Sequence, residues 1–425
     1  MVQVSLLTVL IVFLWATAIV PEFFASLLFF AIVLVSGVVS EPIALAGFQS
    51  KAVWLAFSGI IIGAAIQTHK LGGILFNRLL RRINSYAALV WSVASAGLLL
   101  SFVVPSAMGR VVMMAPLVLA VCKRFKLAEG SRGQYGVCLA LLAGTVFPAM
   151  SILPSNVPNV VMLGAMEAAY GRGITYADYF ILNFPVLGAG AFLLMTALVV
   201  FLFRSEVAPL EDDTGIDAWT REQKRLVLLL LLTLALWATD SLHGISAAWI
   251  GLAAAVICMT PGIGVIPPKI FGTLNFGPWF FVAGAIGLGA MVRESGLVTS
   301  FWQMLSETLP LAGFIAPLQY MVIVITTIVL AILATLPAAP SIFTPMAAAV
   351  SQTTGWPLDA TILAQIPSFV LFLFPYQAPP IIIGIALLKV PVKQVMKLLA
   401  IHTCAGLLVL APLHYLWGRS IGVFP

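Results

Sequence analysis

Apolar positions in this chain come in long unbroken runs, and the polar positions collect in short gaps between them. Residues 5–20, 23–39 and 226–238 are continuous apolar segments and show no one-sided stripe. Runs of this length with so few charges predict bilayer-spanning helices. The pattern also repeats. Leu14-Trp15-Ala16-Thr17 returns 222 residues later as Leu236-Trp237-Ala238-Thr239, and Trp54 before Gly59 returns 225 later as Trp279 before Gly284. The proline break Pro154-Ser155-Asn156-Val157-Pro158-Asn159 is echoed 221 residues on by Pro375-Tyr376-Gln377-Ala378-Pro379-Pro380. Three registrations this close to one another predict two copies of one unit.

Composition sharpens the class. At 62% hydrophobic and 8% charged residues, the chain lies far from soluble domains, which run near a quarter charged. An all-α integral membrane protein follows, placed in the cell membrane (the inner membrane in a Gram-negative bacterium). The first run lacks a basic flank and carries the repeated LWAT, so it reads as part of the fold and not as a secretory signal. The net charge of +6 sits in loops and speaks to orientation and lipid headgroups, not to nucleic acid. Cys122, Cys138, Cys258 and Cys404 are scattered without metal-ligand spacing and read as packed, reduced thiols.

Charge placement predicts the topology. Lys70, Arg78, Arg81 and Arg82 form one basic cluster, and Lys123, Arg124, Lys126 and Arg132 form another. The positive-inside rule puts both in the cytoplasm. The apolar stretch 86–122 between them breaks at Pro105-Ser106-Ala107-Met108-Gly109, so it is expected to enter and return as a re-entrant hairpin. An interrupted helix over 134–166 follows, closing a first repeat over 1–203. A polar linker, 204–225, leads to the second repeat, 226–425, with a hairpin over 314–350 entering from outside and an interrupted helix over 359–388. Lys389, Lys393 and Lys397 return the chain to the cytoplasm. The count is about ten transmembrane helices plus two hairpins in inverted repeats, with both termini outside. The stretches 72–85 and 296–309 alternate polar and apolar residues and are expected to lie along the interfaces.

Interrupted helices expose backbone groups that a bilayer tolerates only inside protein or along a wet cavity. Pro148, Pro154 and Pro158 in one half, and Pro367, Pro375, Pro379 and Pro380 in the other, force such interruptions. Resumed half-helices present free N–H groups and positive dipole ends, each stabilising an anion by about 0.3–2 kcal/mol. Paired interruptions of this kind mark the midplane binding site of secondary transporters. Ser106, Ser155, Asn156, Asn159, Thr335 and Gln377, with Pro379 at the second break, are the expected ligand-binding set. Arg110 stands one turn into the returning hairpin arm, where a central arginine costs about 2.5–3.5 kcal/mol and needs a partner or a function. It is expected to face the cavity as a fixed positive charge, the alternative being that it caps carbonyls of the opposite hairpin arm. His402 is the other intramembrane titratable residue, expected to hydrogen-bond between helices. His69, His243 and His414 fall at span ends and are expected at interfaces. No His-Glu-x-x-His occurs and acidic residues avoid span centres, which argues against an enzyme and against a sodium/proton antiporter.

Leu236-Trp237-Ala238-Thr239 followed by Leu242-His243-Gly244-Ile245 resembles a stretch of the divalent anion/sodium symporter family. The two hairpins and the Pro154–Asn159 break resemble that family as well. The resemblance implies a secondary transporter of di- or tricarboxylates, or of sulfate, working as a homodimer by an elevator movement, usually with sodium. A sodium site near Ser106, Asn156 and Thr335 would follow. The hairpin tips depart from the family's Ser-Asn-Thr triplet: Ser106-Ala107-Met108 and Thr335-Leu336-Pro337 keep only the first hydroxyl. That loss, with Arg110 nearby, favours an exchanger or uniporter over sodium symport.

Overall fold

The computed structural model describes residues 2–17, 19–74, 83–207, 219–297 and 311–425. The described residues form helices and connecting loops, with no strand among them. In the first half, α1 (Val2–Thr17), α2 (Glu22–Ser36) and α3 (Lys51–Thr68) precede a helix pair, α4 (Tyr86–Val103) and α5 (Ala107–Arg124). An interrupted span follows, α6 (Arg132–Val146) and α7 (Val157–Tyr170). Then α8 (Tyr176–Asn183) runs through a π turn into α9 (Ala191–Leu202). The second half repeats the order. It has α10 (Arg221–Ala238), α11 (Ala247–Met259), α12 (Gly277–Glu294), and the pair α13 (Ala316–Leu333) and α14 (Ala339–Thr354). The second interrupted span is α15 (Leu358–Leu363) and α16 (Pro379–Leu388), before α17 (Val392–Leu408) and α18 (Leu410–Ser420). The stretches 72–85 and 296–309 and the linker 204–225 fall mostly outside the described residues.

Six helices among the described residues are long and apolar enough to cross a membrane, and five shorter apolar helices accompany them. Large apolar side chains stay exposed along α1 (Leu6, Val9, Phe13) and α10 (Leu228, Leu231, Leu232), as a lipid-facing surface requires. The protein is a multi-pass membrane protein. Burial is uneven in an informative way. The segment Arg132–Ser151 is 89% buried, against 39% for Tyr176–Leu202, so the interrupted span sits at the centre, shielded from lipid. Irregular backbone at membrane depth is tolerated only in such a place.

The repeat is visible in single hydrogen bonds. The Trp15 indole donates to the carbonyl of Glu22, first residue of α2, at 3.2 Å. The Trp237 indole donates to the carbonyl of Ala247, first residue of α11, at 2.9 Å. A buried indole N–H needs a partner, and the same turn supplies it twice. The threonines of the two LWAT motifs also match: Thr17 donates to Phe13 at 2.7 Å and Thr239 to Ala235 at 2.8 Å.

Each helix pair folds back on itself. Tyr86, at the start of α4, lies beside Cys122, near the end of α5. Gln319, near the start of α13, donates to the Thr354 carbonyl at the end of α14 (3.5 Å) and accepts from the Trp356 indole (2.7 Å). One histidine departs from expectation. His414 is fully buried, with Tyr320 Oη 2.5 Å from Nδ1 and Asn183 Oδ1 3.0 Å from Nε2. Helix α18 tucks between α8 and α13, which removes this residue from any interface and satisfies both ring nitrogens.

Close packing of α4 on α6 depends on glycine. A Cβ on Gly144 would fall on the Ala94 carbonyl oxygen, a backbone atom that cannot swing away, whereas a Cβ on Gly63 in α3 meets nothing within 4 Å. Gly144→Ala is expected to destabilise the protein by about 3 kcal/mol or more. Gly63→Ala should be neutral or slightly stabilising. Thermal unfolding of the two variants in detergent checks the contrast.

Candidate functional site

The chain breaks where its residues cannot continue a helix. Val104 precedes Pro105 and takes an extended conformation (φ −106°, ψ 104°), as a residue before proline prefers. Ser106 then restarts the helix by accepting the Gly109 N–H on its hydroxyl at 3.1 Å. Asn156 does the same for α7, accepting the Val157 N–H at 3.0 Å. Ala378 is extended before Pro379 and Pro380 at the start of α16. The second hairpin turns through Thr335, whose φ of 131° is strained for a β-branched residue.

These breaks converge on one cavity. Pro105 to Met108, Pro154 with Asn156 to Pro158, Leu336 with Pro337, and Ala378 to Pro380 line one side of it. Ala56 and Ile60 of α3, Pro278 and Phe281 of α12, and Glu22 of α2 line the other. Helices α5, α7, α12 and α16 all start at its wall, four positive dipole ends in all, and α2 adds a fifth with Glu22 as its first residue. With Gly109 capped, Ala107 and Met108 keep the unpaired N–H groups of a helix start, and both border the cavity. Proline at the starts of α7, α12 and α16 removes donors while leaving the dipoles in place. The result is an apolar chamber with a positive field and few hydrogen-bond donors, suited to an anion held loosely.

Of the expected residues, the structure brings Ser106, Asn156 and Pro379 to this cavity. Asn156 spends its amide N–H on the Met150 sulfur at 3.1 Å, a weak acceptor that a ligand oxygen would displace. The others lie behind the wall and wire the breaks together. Ser155 donates to the Ser101 carbonyl at 2.6 Å. Asn159 donates to the carbonyls of Ala149 (3.1 Å) and Ile152 (2.9 Å). Gln377 accepts the N–H groups of Leu373 (3.0 Å) and Phe374 (2.8 Å), and its own carbonyl accepts from Leu336 at 2.9 Å. Thr335 is buried and is not among the lining residues, so the cavity wall brings together Ser106 and Asn156 without Thr335.

Arg110 also departs from its expected place. Its side chain is fully buried and does not border the cavity. The guanidinium donates to the Val104 carbonyl, to the Thr145 carbonyl at 2.6 Å, and to the Ser155 hydroxyl at 2.9 Å and carbonyl at 3.3 Å. Carbonyls orphaned by two helix breaks are what a planar, multi-donor cation satisfies best. The charge therefore ties the first hairpin to the first interrupted span. His402, expected to bond between helices, has no partner on either ring nitrogen and meets the Phe147 ring edge-on at 4.8 Å. Glu22 is the lining residue that the sequence did not single out. It starts a span, and only tertiary packing brings it to the chamber.

The family model described as citrate transporter (CitMHS) matches residues 10–369. The chain belongs to the citrate transporter family. A Cupriavidus necator protein described as a membrane protein is 28% identical over 279 residues, covering 62% of this chain and 53% of that one. L-tartrate/succinate antiporters of Shigella dysenteriae and of Escherichia coli K12 are each 22% identical, covering 63% of this chain and 57% of theirs. The chain thus spans little more than half the length of these relatives. The solved YdaH transporter of Alcanivorax borkumensis has the same fold, with a TM-score of 0.59 at 18% identity over 91% of this chain and 89% of that one. This is a carboxylate transporter family, and its members are not enzymes.

The wiring of Arg110 is open to test. Arg110→Gln leaves three buried carbonyls short of donors and should cost about 2–5 kcal/mol. Arg110→Lys keeps the charge but loses the fork, and should be destabilised nearly as much. Unfolding temperatures of both variants measured beside the unmodified protein check this.

Proposed function

We propose that the protein carries small di- or tricarboxylates across the membrane by exchange, through an elevator movement. One observation supports the carboxylate reading above the others. Breaks from both halves meet in a single chamber where, among the described lining residues, the positive field comes from helix starts. Such a site binds carboxylate oxygens weakly enough to release them, as a carrier requires. Exchange is favoured because Thr335 does not join Ser106 and Asn156 in the cavity wall, and because relatives are described as antiporters.

The moving unit in this reading comprises both hairpins and both interrupted spans. It is bound internally by Arg110, by the Leu336–Gln377 backbone bond and by the Tyr376 hydroxyl on the Ile332 carbonyl (2.6 Å). The Tyr170 hydroxyl also donates to the Pro345 carbonyl at 2.8 Å, joining α7 to α14. Toward α3, the bonds gather at Glu167, which accepts from the Ser50 hydroxyl (3.0 Å) and the Lys51 N–H (2.9 Å). A unit tied within itself and pinned at its edge is able to slide as a body.

The test is uptake of labelled succinate into proteoliposomes. Internal succinate should raise the initial rate at least about tenfold over empty vesicles, with no requirement for sodium. A sodium gradient that drives uptake into empty vesicles would replace exchange by symport. Labelled sulfate carried in place of succinate would reject the carboxylate assignment. Ser106→Ala and Asn156→Ala should each raise KM roughly fivefold to tenfold, the loss of one hydrogen bond to a charged ligand.

A further inference from the structure

Among the described residues, the cavity just assigned to carboxylates is lined by one ionisable side chain, and it carries the sign of the ligand. Glu22 lines the chamber, and no Lys, Arg, His or Asp is among its lining residues. The backbone of Glu22 is pinned, because its carbonyl accepts from the Trp15 indole (3.2 Å) and the Ser26 hydroxyl (3.1 Å). Its carboxylate, in contrast, has no hydrogen bond or ion pair among the described residues. Beyond the positive end of its own helix α2, where Glu22 is the first residue, the packed neighbours offer no countercharge. Helix α1 has no titratable residue. Helix α12 keeps Arg293 and Glu294 at the end opposite Pro278. On α3, Lys51 lies away from the chamber and pairs with Glu167 at 3.5 Å.

We propose that Glu22 is a charge filter that makes the cavity favour dianions over trianions of similar shape. This inference rests on the carboxylate reading and names the class within it. Each helix start contributes roughly half a positive charge, without a mobile cation to adjust it. A fixed carboxylate cancels part of that field, and every further negative charge on the ligand meets it across a low-dielectric chamber. At cavity distances that repulsion amounts to roughly tenfold in affinity per added charge. A compact dicarboxylate is held by the helix starts at its two ends, whereas a third carboxylate lacks a donor and faces Glu22.

The experiment uses the full chain in proteoliposomes at pH 8 in metal-free buffer, where succinate is a dianion and citrate a trianion. Unlabelled competitors are titrated against labelled succinate uptake. In the unmodified protein, the monoamide of citrate, a dianion of nearly the same shape, should compete about tenfold better than citrate. Glu22→Gln should shrink that ratio to within about twofold of unity, while Glu22→Asp keeps it. Equal competition by citrate and its monoamide in the unmodified protein would overturn the filter, even if the Gln variant does not fold. An unaltered ratio in a folded Gln variant would overturn it as well. Failure of the unmodified protein to carry succinate at all would reject the carboxylate reading, and this inference with it.

Discussion

The structure depends on how it satisfies backbone groups that broken helices leave unpaired in an apolar interior. Four interruptions at membrane depth free carbonyls and N–H groups that water does not reach, and each orphan costs several kcal/mol in hydrocarbon. The carbonyls are met by side chains brought from elsewhere: Arg110 for Val104, Thr145 and Ser155, and Asn159 for Ala149 and Ile152. The N–H groups are met by Ser106, Asn156 and Gln377, or removed by proline. Of the N–H groups left at helix starts, those of Ala107 and Met108 border the cavity. Function is what the satisfied framework leaves over.

Much of this was legible in the sequence, because duplication writes the same constraint twice. LWAT and the proline breaks recur at nearly constant spacing, and the LWAT side chains make matching bonds in both halves. Proline also punctuates the chain strongly enough that Pro105, Pro154 and Pro379 mark where helices stop and resume. The direction in which a side chain points was not legible. Arg110 sits at the expected depth but turns toward carbonyls of α6 and of the following break, partners 35 and 45 residues away in sequence. Sequence periodicity says nothing of that choice, since both faces of a hairpin arm inside protein are apolar.

Glu22 and His414 illustrate the same limit from opposite sides. The sequence puts both near span ends, where charge and polarity usually mean exposure to headgroups. Packing of α2 on α12 brings Glu22 to the chamber, and packing of α18 against α8 and α13 buries His414 between Tyr320 and Asn183. The pseudo-equivalent pair Asn156 and Gln377 diverges too. The first borders the cavity and the second is sealed behind it, so the two halves share a scaffold without sharing every contact.

A second cavity is lined by Lys51, Leu55, Leu153 and Glu167, while Ala56 and Pro154 line the first. Neighbouring residues on α3, and again at the first break, therefore border different chambers. Any shift of α3 against the first break would reshape both spaces at once, so neither can widen without the other being altered.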